Sequence, residues 1–132
     1  MMEENNVIPI RKTDRYTLCT GKLHKDGSIE ELHKIGNAYL KPGAKTFRLK
    51  FWMYPRESYF LSRDHDSDLI YTILSVEEYL GANLEPKTTW REIGKGYVMG
   101  NYIRLEFYAM KDEVYLSLFP EKFETKEESI AS

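Results

Sequence analysis

The chain has 132 residues, of which 42 % are hydrophobic and 30 % charged, with 19 Lys+Arg against 21 Asp+Glu. That is the composition of a single soluble globular domain, and the aromatic share of 14 % argues against disorder. The longest apolar runs fall far short of the roughly 20 residues a membrane helix needs. The acidic start Met1-Met2-Glu3-Glu4 does not read as a secretory signal. With Cys19 the only cysteine, no disulfide and no thiolate metal cluster are expected. These features together point to a cytoplasmic location with no membrane partner.

Taken in chain order, the sequence reads as eight short strands in one domain. Residues 1–9 are expected to be a flexible tail. Strands follow over Arg15 to Lys22, Ile29 to Leu40, Thr46 to Tyr54 and Ser58 to Arg63. Lys25-Asp26-Gly27-Ser28, Lys41-Pro42-Gly43-Ala44 and Pro55-Arg56-Glu57 supply the turns between them. A second set is expected over Asp68 to Val76, Thr89 to Met99, Tyr102 to Met110 and Glu113 to Phe119, with Pro120 as its stop. Ser67 to Gly81 also fits a helix, because Leu69, Ile73, Val76 and Leu80 would share one face. The Tyr-Thr content favours a strand to Val76, with Glu77 to Leu80 as a short helical turn. Residues 121–132 are expected to be a second flexible tail.

The two sets resemble each other. Lys34-Ile35-Gly36-Asn37-Ala38-Tyr39-Leu40 parallels Glu92-Ile93-Gly94-Lys95-Gly96-Tyr97-Val98 at an offset of 58. Phe47 to Trp52 parallels Ile103 to Tyr108 at 56, and Glu57 to Phe60 parallels Glu113 to Leu116 at the same offset. Internal repeats are therefore placed at 14–63 and 68–120. Two four-stranded meanders, each too small to stand alone, should close on one another as an all-β fold. The product is an eight-stranded antiparallel barrel or a two-sheet sandwich. Gly36 and Gly94, inside strands, mark bends for that closure.

Near-neutral overall charge hides an asymmetry. Arg11 to Arg63 holds 12 Lys/Arg and 5 Asp/Glu, a net of +7, whereas Asp68 to Glu128 holds 7 and 12, a net of −5. The third strand alternates Phe47, Leu49, Phe51 and Met53 on one face with Arg48, Lys50, Trp52 and Tyr54 on the other. Lys45 and Arg56 flank that second face. Basic groups interleaved with aromatic rings suit phosphates and stacked bases. Lys45, Arg48, Lys50, Trp52, Tyr54 and Arg56 are therefore the candidate binding set, with single-stranded nucleic acid as the expected partner. Two other readings compete. One is a protein-interaction or self-assembling β-module, its basic half docking the acidic half of another copy. The other is a barrel enclosing one small ligand.

No standard catalytic motif is present, so a non-enzymatic binding module without cofactor or metal is expected. Gly43-Ala44-Lys45-Thr46 is read as a hairpin turn, not a phosphate loop. Asp64-His65-Asp66-Ser67-Asp68 alternates carboxylates but lacks the glycine and the terminal glutamate of a calcium loop, and is read as a solvated linker. Cys19, beside Leu18 in a strand, is read as a core thiol.

Overall fold

The most regular alternation in the chain, Thr46 to Phe51, sits at the heart of the fold. Phe47 and Leu49 are buried there, while Arg48 on the opposite face is exposed. A computed structural model describes residues 14–121. Within them lie eight strands: β1 (Asp14–Leu23), β2 (Ile29–Leu40), β3 (Thr46–Phe51), β4 (Tyr59–Arg63), β5 (Ile70–Leu80), β6 (Pro86–Met99), β7 (Tyr102–Phe107) and β8 (Val114–Ser117). Every strand pairs antiparallel with its neighbour in sequence, and β8 returns to pair with β1 through Leu18↔Leu116. The fold is thus all-β, one sheet closed into a ring, and within the ring itself each strand is paired on both sides. The two-sheet sandwich is not what forms.

Three expectations need correction. No helix occurs among the described residues, and the segment from Glu77 to Leu80 continues β5. Glu77 and Glu78 are good helix formers, but cross-strand pairing with Thr89 and Thr88 overrides that preference. β3 stops at Phe51 instead of reaching Tyr54, because Trp52 begins a turn in which the Tyr54 N–H donates to the Phe51 carbonyl at 3.0 Å. Glu121 is anchored, not part of a loose tail: its N–H donates to the Arg15 carbonyl at 2.8 Å. The expected tails over 1–9 and 122–132 lie outside the described residues.

The core fills the ring with Leu18, Leu49, Leu61, Ile73, Leu105 and Leu116, each essentially without solvent exposure. Burying each contributes about 1.5–3 kcal/mol. Aromatic edges close one end of this core, with Tyr16 and Phe47 at 5.6 Å and Phe47 and Tyr71 at 6.2 Å between ring centres.

The same irregularity is built twice. Leu18 faces Gly36 but Cys19 faces Lys34, leaving Ile35 as an extra residue; Ile73 faces Gly94 but Leu74 faces Glu92, leaving Ile93 extra. Each extra residue uses its carbonyl to accept the first N–H beyond the next upward strand, Trp52 for Ile35 and Tyr108 for Ile93, both at 2.9 Å. Pairing of Leu49 with Tyr59 and of Leu105 with Val114 also matches in the two halves. This register sets Tyr59 opposite the role of Val114, one residue away from the match with Tyr115 that the sequence suggests.

Outside the ring, at the β7–β8–β1 seam, Tyr115 is fully buried and packs edge-on to Tyr102 at 6.2 Å. Tyr102 donates its hydroxyl proton to Glu31 at 2.6 Å, and Tyr115 donates to Glu113 at 2.8 Å. The bond to Glu31, then burial, pushes the Tyr102 phenol up to about 12. Burial, then the bond to Glu113, does the same for Tyr115. Both groups fold in their neutral form, so their contribution is complete below the ordinary phenol value of 10.0 and is lost as pH rises toward about 12. Urea unfolding followed against pH should therefore show stability falling across that alkaline window, and Tyr115→Phe should remove part of the fall. A Tyr115→Phe profile parallel to the wild type would contradict it.

Candidate functional site: the mouth of the barrel

Strand direction puts four connections at one end of the ring: residues 24–28, 52–58, 81–85 and 108–113. Two join strands that outrun the barrel, so the β1–β2 and β5–β6 hairpins project as arms. The other two are short loops following Phe51 and Phe107. Between them opens a cavity of about 900 Å³. Its volume falls in the range typical of small-molecule sites, ~300–1,000 Å³.

The floor of this cavity follows from the repeated Ile-Gly pair. A bulge re-aims the side chain of its extra residue, and both extra residues, Ile35 and Ile93, line the cavity. The glycine beside each lets the neighbouring strand come close. A Cβ on Gly36 would lie 2.1 Å from the Lys50 carbonyl oxygen, and one on Gly94 would lie 2.4 Å from that of Glu106. Paired with these glycines are Phe51 and Phe107, whose rings meet edge-on at 5.8 Å across the cavity floor. Tyr59 adds a third ring 6.0 Å from Phe51. Burial, with smaller effects from Glu57 and Tyr54, pushes the Tyr59 phenol above its ordinary value, so it remains a neutral hydroxyl.

Charge is confined to the rim. Glu77 and Arg91, diagonal neighbours across the β5–β6 arm, form an ion pair. Glu57 and Asp112 stand on the two loops. An apolar floor under a charged, solvated rim can hold a mostly apolar small molecule with its polar end toward water.

The residues singled out in the sequence are spread over the whole wall. β3 has six residues and spans about 20 Å at ~3.4 Å per residue, so Lys45 lies at the far end and Arg56 at the mouth. Arg48, midway, covers the ring of Tyr39 at 5.4 Å. The Lys50 ammonium is occupied: it donates to the carbonyls of Pro55 and Glu57 and to the Ser58 hydroxyl, each at 3.2 Å. It therefore fastens the 52–58 loop that forms one side of the mouth. Trp52 and Tyr54 are exposed, at 56 % and 50 %. The structure brings Lys50, Trp52, Tyr54 and Arg56 together around one loop and leaves Lys45 and Arg48 apart from it.

Two elements escaped the sequence reading. One is the pair Ile35 and Ile93, visible in the sequence only as neighbours of glycines. The other is Glu121, whose carboxylate accepts from Thr17 at 2.6 Å and Asn37 at 2.9 Å and pairs with Arg15 at 2.8 Å and Lys34 at 2.9 Å. Lys34 in turn lies 5.5 Å over the Trp52 ring, so this clamp reaches the mouth loop. Nothing in a charged C-terminal stretch signals which glutamate will do this.

Cys19 is buried, and burial with the charge of Glu31 pushes its thiol up to about 11, which keeps it unreactive at neutral pH. Among the described residues, no three His, Cys, Asp or Glu side chains gather in a group that could hold a metal ion. No protein-family description fits this chain, and neither the curated proteins nor the solved structures contain a match to it.

Proposed function

We propose that this chain is a non-enzymatic binding protein that holds one small, mostly apolar molecule in the mouth of its barrel. The observation that carries this reading is the cavity of about 900 Å³ with Ile35, Ile93, Phe51 and Phe107 as its floor. Both bulges, both close glycine approaches and the Lys50 anchor contribute to its shape. An eight-stranded barrel has room for a single ligand of this size.

A direct test uses Ala109, an exposed residue on the 108–113 loop that lines the cavity. Titration with an environment-sensitive anilinonaphthalene sulfonate probe should give saturable binding at one probe per chain. Ala109→Trp, which fills the cavity from a loop without touching the core, should weaken that binding at least about tenfold with the melting temperature held. A tenfold loss corresponds to ~1.4 kcal/mol of binding free energy. Unchanged probe affinity in this variant would overturn the reading.

A second reading draws on the exposed rings of Trp52 and Tyr54. Together with Arg56 on the same loop they would offer a single-stranded nucleic acid stacking surfaces and a phosphate contact. It ranks second because Lys50 is committed to the loop and the basic residues do not converge.

A further inference from the structure

One row of outward-facing residues is built twice but covered only once. In the first half Tyr39, Arg48 and Phe60 stand side by side across β2, β3 and β4. In the second half Tyr97, Arg104 and Tyr115 do so across β6, β7 and β8. The second row is covered by the chain itself. Tyr102 packs edge-on against the buried Tyr115 ring at 6.2 Å, and Glu106 pairs with Arg104 at 3.3 Å. The offset of 56 that aligns Arg48 with Arg104 sets Thr46 where Tyr102 stands and Lys50 where Glu106 stands. Strand pairing agrees, since Thr46 faces Ser62 as Tyr102 faces Ser117. The first row therefore lacks one ring and one negative charge, the two groups that complete the second.

What stands open in their place is a groove of about 410 Å³ lined by Tyr39, Lys41, Thr46, Arg48 and Phe60. Among the described residues it shares no lining residue with the mouth cavity. Phe60 is its aromatic side, with the Trp90 ring 5.5 Å beyond. Arg48 and Lys41 are its cationic side. Arg48 rests over the Tyr39 ring and has no carboxylate at pairing distance among the described residues. Lys41 follows Leu40, whereas Met99 follows the matching Val98, so the groove carries a cation that its counterpart lacks. A guanidinium binds two oxygens of one anion at once, and a second cation beside it suits a dianion. Phe60 suits a ring in edge or offset contact.

We infer that this outer-wall groove binds a phosphate monoester carried on a single aromatic ring, with the ring against Phe60 in the place of Tyr102 and the phosphate between Arg48 and Lys41. A phosphate monoester brings close to two negative charges at neutral pH, which the singly charged naphthalene probe of the mouth does not. A free aryl phosphate and the phosphotyrosine of a partner protein share this chemistry.

Backbone NMR shifts of the full chain, followed during titration with phenyl phosphate, test this. Saturable shifts are expected at Thr46, Arg48 and Phe60, with an affinity at least about tenfold tighter than for phenol or inorganic phosphate alone. Thr46 is exposed, so Thr46→Tyr restores the counterpart's ring without entering the core. It should weaken phenyl phosphate at least about tenfold with the melting temperature held, and Arg48→Gln should do likewise. A Gly-Ser peptide with one phosphotyrosine that binds more tightly than phenyl phosphate assigns the ring to a partner protein; equal or weaker binding assigns it to a small molecule. Inorganic phosphate binding as tightly as phenyl phosphate would overturn the proposal. So would shifts that never saturate at the groove, or an affinity indifferent to both substitutions.

Discussion

Gly36→Ala is expected to destabilise the fold by at least about 3 kcal/mol, a large fraction of the total stability of a small domain. The added Cβ would stand 2.1 Å from the Lys50 carbonyl oxygen and 3.0 Å from the Phe51 Cα. Both are backbone atoms within a paired strand, so neither can swing aside as a side chain would, and relief requires β2 and β3 to separate. Overpacking a well-packed core typically costs ~1–3 kcal/mol and occasionally more, and a clash with paired backbone on both strands puts this site at the upper end. Gly94→Ala should behave alike for the same reason, with Glu106 O at 2.4 Å and Phe107 Cα at 3.0 Å. Gly27→Ala is the control. It meets no atom within 4 Å and has only its φ of +91° to accommodate, a cost of roughly 1 kcal/mol. Urea denaturation of the three variants should rank them in that order, with Gly27→Ala the mildest. A Gly36→Ala protein as stable as Gly27→Ala would show that the close approach of β2 and β3 is not as described.

Glu121→Ala is expected to cost about 2–4 kcal/mol. Its carboxylate is an acceptor for Thr17 and for Asn37, which is itself buried and also donates to the Tyr16 carbonyl at 3.1 Å. Deleting it leaves desolvated donors without their acceptor and like charges on Arg15 and Lys34 near one another. Glu121→Gln keeps the shape and one acceptor oxygen and should cost less. Burial raises the carboxyl's proton affinity, but the bonds from Thr17 and Lys34 and the charges of Lys34 and Arg15 outweigh it, so it titrates below its ordinary value. A lowered folded value means that its stabilisation is present above the ordinary carboxylate range and is lost as pH falls through the folded one. Urea unfolding at neutral and acid pH should therefore show the Glu121→Gln deficit shrinking in acid. The same substitution should loosen Lys34 from Trp52 and so reach the mouth loop. A deficit that does not change with pH would contradict the account of the clamp.

The eight strands, their meander order and most turns were legible because each rests on local chemistry, whereas closure through Leu18 and Leu116 is a long-range pairing that the sequence left open against a two-sheet sandwich. Alternating burial at Phe47 and Leu49, or Gly27 and Gly43 at left-handed turn positions, can be read from neighbours alone. The end of β3 was not legible. Trp52, Met53 and Tyr54 keep the strand's alternation, and what ends it is the turn closed by the Tyr54 N–H on the Phe51 carbonyl, with the Lys50 ammonium fastening the carbonyls of Pro55 and Glu57, contacts with no pattern in sequence. The Lys50 contact is why a lysine that looked available to a phosphate is spoken for. The Ile-Gly repeat was visible, but its meaning was only half so. The glycines read as bends, whereas the aim of Ile35 and Ile93 into the mouth depends on which residue the pairing leaves over. Charge counting by halves pointed to the outer face of β3. The cavity has no charge signature, since its floor is built from side chains that in sequence look like core.

The mouth cavity is the proposed ligand site. Methyl and aromatic NMR spectra recorded during titration with the naphthalene probe test it most directly. Binding there should give saturable shifts at Ile35, Ile93, Phe51 and Phe107, with the core below at Leu61 and Ile73 and the far-end turn at Ala44 little changed. Shifts confined to the outer wall around Arg48 and Tyr39, or none that saturate, would contradict it.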